Sequence, residues 1–374
     1  MNAVHLAEQA TLGALMLERG LDADVTAWLR AEDFDHPWHR SVYASIRELH
    51  AAHAPLDPQR VGLALTDRLG PRAELPHLLD LLQAAPTRPV GRRYAAMVLE
   101  ASLRRDTACQ GVLLQAAALS AGLSQHSRPV TAVVAQVDAS LDNAELRWRY
   151  ATNDPVPTRT DVEVVGLGVP VSALGADRLL QAHPALDPAA VRRGEEALVA
   201  SLIARPDHIG EVARWLRPDA LTHTAWRPVY AAVIQLAELG EPVDVVTVSW
   251  EVHRASSRLG PGPGTRELRD AVESAACTDP AHLARAVASD HVRITADRAA
   301  HALRAAAGNP GVDLTDVLAT GHLLTSALRE SALALPAAPR DEVPYLGIAG
   351  YDFGPDRVPH SSQGQAHDLG LVSR

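Results

Sequence analysis

Apolar residues in this chain recur at three- and four-residue steps, the spacing of one helix face. Over residues 6–17 the positions Leu6, Ala10, Gly13, Ala14 and Leu17 keep that step. Leu12, Leu15 and Met16 widen the stripe, which predicts a mostly buried helix. A short helix is expected over 22–29, and the run Asp33-Phe34-Asp35-His36-Pro37 interrupts the pattern before a third. That third helix carries Trp38, Val42, Ile46, Leu49 and His53 on one side with Tyr43 beside them, and it ends near Pro55. Pro37 suits a helix start, where its missing N–H is not needed. Asp57-Pro58 is a second start signal, an acceptor for free amides followed by proline in the first turn. Val61, Leu65 and Leu69 then follow at four-residue steps until Gly70-Pro71 stops the helix. A fifth helix carries Leu75, Leu78, Leu79 and Leu82. Longer helices are predicted from 91 to about 119 and over 129–149, the latter with Val130, Val133, Val134, Val137 and Leu141.

The same order then occurs again. Trp28-Leu29-Arg30, Arg40, Val42-Tyr43, Leu49, Pro55 and Asp57 reappear 187 positions later as Trp215-Leu216-Arg217, Arg227, Val229-Tyr230, Leu236, Pro242 and Asp244, with no gap. Matches of Trp, Tyr and Pro at one fixed offset mark a tandem duplication. The second copy predicts helices over 196–204, 209–216 and 225–239, with residues 242–244 opening the next. The glycine- and proline-rich run at 260–264 reads as an inserted loop, since the offset grows to about 190 by Leu268. Helical pattern continues to about residue 335. Closely spaced Pro155, Pro157, Gly166, Gly168, Pro170, Pro184 and Pro188 mark a linker, with short structure expected at 162–165 and 177–181. The expected organisation is therefore a first helical domain with trailing helices at 1–150, a linker at 151–193, a second such domain at 194–335, and a disordered tail at 336–374.

Composition narrows the class. The chain is 47% hydrophobic but only 4% aromatic and rich in alanine, which favours an all-α fold. A net charge of −10 argues against a protein whose main task is to hold a phosphate backbone. None of the 35 basic residues is lysine. That excludes the phosphate loop G-x-x-x-x-G-K-[ST] and lysine Schiff-base chemistry in this chain. Gly166-x-Gly168 opens like a dinucleotide fingerprint, but Val171 replaces the third glycine and no strong strand precedes it. Cys109 and Cys277 form no C-x-x-C pair, no basic leader precedes His5, and the apolar runs are too short to span a bilayer. A cytoplasmic protein without a cofactor is expected.

The run Ala7-Glu8-Gln9-Ala10-Thr11-Leu12-Gly13-Ala14-Leu15-Met16 comes first, followed by Glu32-Asp33-Phe34 and His39-Arg40-Ser41-Val42-Tyr43. Together with Ile46, Leu49, Pro55 and Asp57, these residues resemble the N-terminal domain of DnaB-type replicative helicases. The resemblance covers 6 to about 105 well and 195 to about 293 more weakly, with Gly13, Phe34 and Pro37 replaced by Ala200, Leu221 and Thr224. It implies a small helical bundle that pairs with copies of itself in the helicase collar and contacts the primase. In that family an ATP-hydrolysing motor normally follows. Here the second copy occupies its place and no lysine is present for a phosphate loop, so the chain is expected to lack the motor and to supply in cis a pair that the helicase builds from two subunits. A linker of about 40 residues reaches roughly 35 Å, enough for the two units to touch.

Seventeen histidines raise metal chemistry. His36 with His39, and His50 with His53, have ligand spacing, but neither pair has a nearby cysteine or a consistent acidic third ligand, so packed or solvated histidines are expected. Trp28, Trp215, Tyr43 and Tyr230 have the chemistry of a platform for single-stranded nucleic acid, yet their stripe positions predict core packing. The pairs Arg92-Arg93, Arg104-Arg105 and Arg192-Arg193 are expected on solvated faces or partner contacts. No G-x-S-x-G elbow appears, and no catalytic, cofactor or metal residue is assigned. The expectation is a non-catalytic interaction protein that binds a replicative helicase or a primase, with Arg40, Arg47, Arg60 and Arg227 as candidate partner contacts. Direct binding of single-stranded DNA is one alternative, and a helicase-family member with no ATPase activity of its own is another.

Overall fold

The computed structural model describes residues 3–17, 23–73, 76–85, 91–153, 173–259, 261–275 and 277–337, and every regular element among them is helical. The expected tail from 338 onward and the short structure at 162–165 lie outside the described residues. None of the described helices is long and apolar enough to cross a membrane.

In the first unit α1 (Ala3–Leu17), α2 (Ala23–Trp28), α3 (Pro37–Ala51), α4 (Pro58–Leu69) and α5 (Pro76–Ala84) follow the predicted order. They enclose Leu12, Leu15, Trp28, Leu29, Phe34, Tyr43, Ile46, Leu65 and Leu81. Gly13 is required where α1 meets α5, since a Cβ there would lie 2.1 Å from the Leu81 carbonyl oxygen. The long α6 (Gly91–Ser124) and α7 (Arg128–Thr152) then form a hairpin. Next, α8 (Ala173–Ala182) packs on α6 inside the interval read as linker.

The second unit repeats the plan in α9 (Pro188–Ala204), α10 (Ile209–Val212), α11 (Trp226–Leu239), α12 (Val245–Leu259) and α13 (Thr265–Ala275). Its hairpin is α14 (Pro280–Gly308) and α15 (Leu314–Ala332). Two boundaries differ from expectation for local reasons. Helix α9 starts at Pro188, not 196, because the Asp187 carboxylate accepts the Ala189 amide at 2.9 Å and proline takes the first turn. Helix α10 stops at Val212, short of 216, because Arg217 precedes Pro218 and is extended, with ψ 156°.

Equivalent bonds show that the units share more than helix order. The buried Tyr43 hydroxyl donates to the Leu29 carbonyl at 3.2 Å, and Tyr230 donates to Leu216 at 2.9 Å. Burial pushes both phenols above their ordinary range. The buried Glu8 carboxylate accepts the amides of Asp35 and His36, and Glu195 accepts those of Thr222 and His223. One joint is not repeated. Asp33 is buried and accepts from the Arg30 amide at 2.6 Å, from Ser102 Oγ at 3.0 Å and from Arg147 Nη2. The Arg147 Nε also donates to the Trp28 carbonyl at 2.9 Å, so this ion pair ties the first unit to both helices of its hairpin. Ala220 stands in place of Asp33 in the second unit.

The two hairpins pack together as four helices, with α6 against α14 and α7 against α15. Gly111 and Ala300 meet at the crossing, where a Cβ on Gly111 would lie 3.0 Å from the Ala300 Cα. These residues occupy equivalent positions, at the offset of 189 that relates Arg104 to Arg293. Contact between a residue and its own counterpart is the mark of an isologous pair. The helices run antiparallel. Arg104, early in α6, donates to the Asn309 and Val312 carbonyls after α14, while a Cβ on Gly122, late in α6, would lie 3.7 Å from the Arg293 and Ser289 side chains.

Two substitutions test these joints. Gly111→Leu forces the crossing apart and is expected to cost about 1–3 kcal/mol, seen as a lower urea midpoint. Asp33→Ala leaves Arg147 buried without its partner and should cost about 3–5 kcal/mol in the same assay, with much of the loss recovered in Asp33→Ala/Arg147→Met.

Candidate functional site

The four candidate arginines fall into two kinds. Arg40 and Arg227 are equivalent, and each is exposed near the start of its helix, α3 or α11. Each also grips the turn ahead of it: Arg40 Nε donates to the Phe34 carbonyl at 2.5 Å, and Arg227 donates to the Leu221 carbonyl through Nε at 3.1 Å and Nη2 at 2.5 Å. Holding that turn is thus a repeated structural duty. Arg60 is exposed in the first turn of α4, with Nε 3.7 Å from Asp57, which also accepts its amide. Arg47 is exposed on α3. Ile234 and Thr247 occupy the positions of Arg47 and Arg60 in the second unit, so only Arg40 and Arg227 are repeated.

What the arginines do not mark, two apolar side chains do. On α4, Val61 and Leu65 are buried one turn apart, and on α12 their equivalents Val248 and Val252 are buried likewise. Midway between each pair, on the opposite side of the helix, stand Leu63 and Trp250, 67% and 63% exposed. They are 187 positions apart and therefore equivalent. Leu63 and Leu79 border an open groove of about 400 Å³ that Pro58, Gln59, Gly62 and Leu78 help to line. On α12 the exposed Val246 lies one turn before Trp250, and His253 lies beside the indole, with ring centroids 6.4 Å apart. Sequence reading passed over this face because Leu and Trp do not match by type. The available signal was that both are large apolar residues lying off the buried stripe at one repeat position.

The aromatic platform does not exist: Trp28, Tyr43 and Tyr230 are buried and Trp215 is half-buried. Several paired arginines are likewise engaged inside the fold. Arg92 donates to the Tyr150 carbonyl at 2.6 Å, Arg104 to the turn after α14, and Arg105 to the Asp33 carbonyl at 2.6 Å.

Among the described residues two side-chain groups have the composition of metal ligands, His5 with Glu8 and His39, and Asp142 with Glu145 and His322. In the first, His39 Nδ1 lies 2.6 Å from Glu8 Oε2. Burial opposes ionisation of Glu8. The His39 hydrogen bond, the amides of Asp35 and His36 and the His39 charge outweigh it, and hold the carboxyl below its ordinary value. Burial, with His39 and His5 alongside, holds His36 below its ordinary value as well. The acidic ligand missing from the local sequence around His36 and His39 is thus brought in from α1.

Comparison with known proteins agrees with the duplicated geometry. Residues 1–100 and 188–288 match the model of the DnaB-like helicase N-terminal domain, together more than half of the chain. A replicative DNA helicase DnaB of Mycobacterium leprae (strain TN) is 36% identical over 102 residues, 26% of this chain and 17% of that protein. Another, from Leifsonia xyli subsp. xyli (strain CTCB07), is 34% identical over 106 residues, 27% of this chain and 22% of that protein. The chain thus spans less than a quarter of the length of either relative.

Arg227→Ala removes both donors from the Leu221 carbonyl and is expected to destabilise the chain by about 1–2 kcal/mol, measured as a shift in thermal midpoint. An unchanged midpoint would mean that the contact contributes nothing and that Arg227 is free for other work.

Proposed function

The chain belongs to the DnaB-like helicase N-terminal domain family, and from that premise we propose that it is a non-catalytic interaction module of DNA replication. It joins two collar-like units in one polypeptide and binds a replicative helicase or its primase during primosome assembly in the cytoplasm. One observation carries the reading: Leu63 and Trp250 are exposed at equivalent places on the outer faces of α4 and α12. Isolated exposed leucines are ordinary, but a large apolar side chain left in water at the same place in both units is the composition of an interface centre. Helices α3 and α11 pack beside α4 and α12, so Arg40, Arg47, Arg60 and Arg227 are the polar contacts proposed around it. Without lysine the chain has no phosphate-loop grip on ATP, and the proposed role needs no cofactor. Direct binding of single-stranded DNA is the weaker reading, because Arg92, Arg104 and Arg105 use donors inside the fold.

The host helicase and primase, each titrated with the full chain by interferometry, are expected to give a Kd on the order of micromolar or tighter for one of them. Leu63→Arg/Trp250→Arg should weaken that binding roughly tenfold or more while leaving the helical circular dichroism unchanged. Failure of the folded chain to bind either protein sinks the reading. If it instead bound a single-stranded oligonucleotide with affinity falling steeply in salt, the DNA alternative would replace it.

A further inference from the structure

Three imidazoles and one carboxylate of the first unit converge where the start of α1 meets the start of α3. His5 and Glu8 stand one turn apart on α1, His36 immediately precedes α3, and His39 lies one turn further on. Ring centroids are 4.9 Å apart for His5 and His39, 4.7 Å for His36 and His39, and 5.6 Å for His5 and His36. Glu8 and His39 are buried, His5 is half-buried and His36 is exposed, so the cluster has a closed floor and an open mouth. One donor atom each from His5, Glu8 and His39 lies within 4.8 Å of the others. Tetrahedral zinc, with bonds of about 2.0–2.1 Å, sets its ligands roughly 3.3 Å apart, so side-chain rotation without backbone movement spans the difference.

The fold does not require these histidines. Glu195 holds the same amides in the second unit as Glu8 does in the first, yet Arg192 replaces His5 and the buried Trp226 replaces His39. The carboxylate and the histidine at position 36, whose counterpart is His223, are therefore common to both units, and the imidazoles of His5 and His39 are an addition confined to the first. Three rings this close repel one another when protonated, whereas a single cation can be shared by neutral rings and a buried carboxylate.

The geometry points to a site for a divalent first-row transition cation of zinc or cobalt type, held by His5, Glu8 and His39, with His36 as the adjacent fourth donor. Imidazole with a single carboxylate suits such ions, while magnesium and calcium favour all-oxygen sets. The ion takes the place of the proton between His39 Nδ1 and Glu8 Oε2, and the neutral ring then carries its proton on Nε2; because protons compete with the ion for imidazole and carboxylate, binding weakens as pH falls. A bound ion pins α1 to α3. The group at Asp142, Glu145 and His322 is the control, because Glu145 already faces Arg149 and His322 lies 3.5 Å from Asp138, a carboxylate that also takes Arg329 and Thr325.

The test is titration of the tag-free full chain with Co²⁺ and with Zn²⁺, followed by calorimetry and by the visible absorption of cobalt. A single equivalent of either ion should bind, with tetrahedral cobalt bands and a raised thermal midpoint. His5→Gln should lower the affinity roughly tenfold or more, as loss of a direct ligand must cost at least what loss of an outer one does. His322→Gln should leave it unchanged. His5 is half-buried at the edge of its helix, so the variant keeps its fold, which circular dichroism checks, whereas His39→Gln alone would confound binding with packing. Absence of stoichiometric binding, or binding that survives His5→Gln, or binding lost only in His322→Gln, overturns the proposal.

Discussion

Everything else in the molecule depends on how closely α6 can approach α14. The approach is set by Gly111 against Ala300, two small residues at equivalent positions, which let the backbones touch where larger side chains would hold them apart. Polar contacts flank that crossing. Gln115 bonds Asp297 at 2.8 Å and receives Arg304 at 3.2 Å, Arg104 donates to the turn after α14, and Arg293 donates to the Pro184 carbonyl between α8 and α9. Beside it α7 and α15 close the assembly, with Asp138 accepting from Thr325 and Arg329 and Gly321 leaving room for Leu141. The chain beyond α15 then returns to the first turn, where the Ser127 amide meets the Pro336 carbonyl at 2.9 Å.

Joining the two units in one chain changes what the pair can tolerate. Association of separate subunits loses translational freedom, whereas a tether holds the second partner at an effective concentration on the order of millimolar. A substitution in a symmetric dimer also occurs twice, but here it occurs once. The differences between the units follow from that freedom. The Asp33–Arg147 pair anchors only the first unit to its hairpin, while in the second a half-buried His291, held below its ordinary value by desolvation, bonds the Ala220 backbone instead. A buried ion pair and a smaller, less charged joint of this kind are energetically interchangeable as wholes, though neither tolerates losing half of itself. Gly13 against Ala200 and His39 against Trp226 are the same kind of asymmetry.

What could be read from the sequence was whatever has a local period or a local signal. The stripes of α1, α3 and α4, the Asp57 cap and the repeat of Trp28, Tyr43 and Pro55 all announce themselves within a few turns or at a fixed offset. The rest is carried by pairs with no such relation. Gly111 inside a long helix reads as a mild defect until Ala300 is set against it, and nothing near Asp33 announces Arg147. His36 and His39 lacked a consistent acidic companion only because Glu8 reaches them from 28 and 31 residues earlier. Arg40 and Arg227 looked like free charges because their acceptors are backbone carbonyls, which no sequence displays. Local chemistry hid Leu63 and Trp250 as well, since one helix position was filled by different residue types.

These two positions also constrain how a partner is engaged. The pseudo-twofold that relates the hairpins puts α4 and α12 in equivalent settings, but an aliphatic side chain occupies one and an indole the other. A leucine is matched by any shallow apolar pocket, while an indole has a flat face, a wide edge and an N–H that needs an acceptor when buried. A partner of true twofold symmetry offers the same surface twice and so fits one of these faces better than the other. On the proposed interaction role, the duplicated chain is suited to gripping a single face firmly and leaving its second for a different contact, which a homodimer with identical faces cannot arrange.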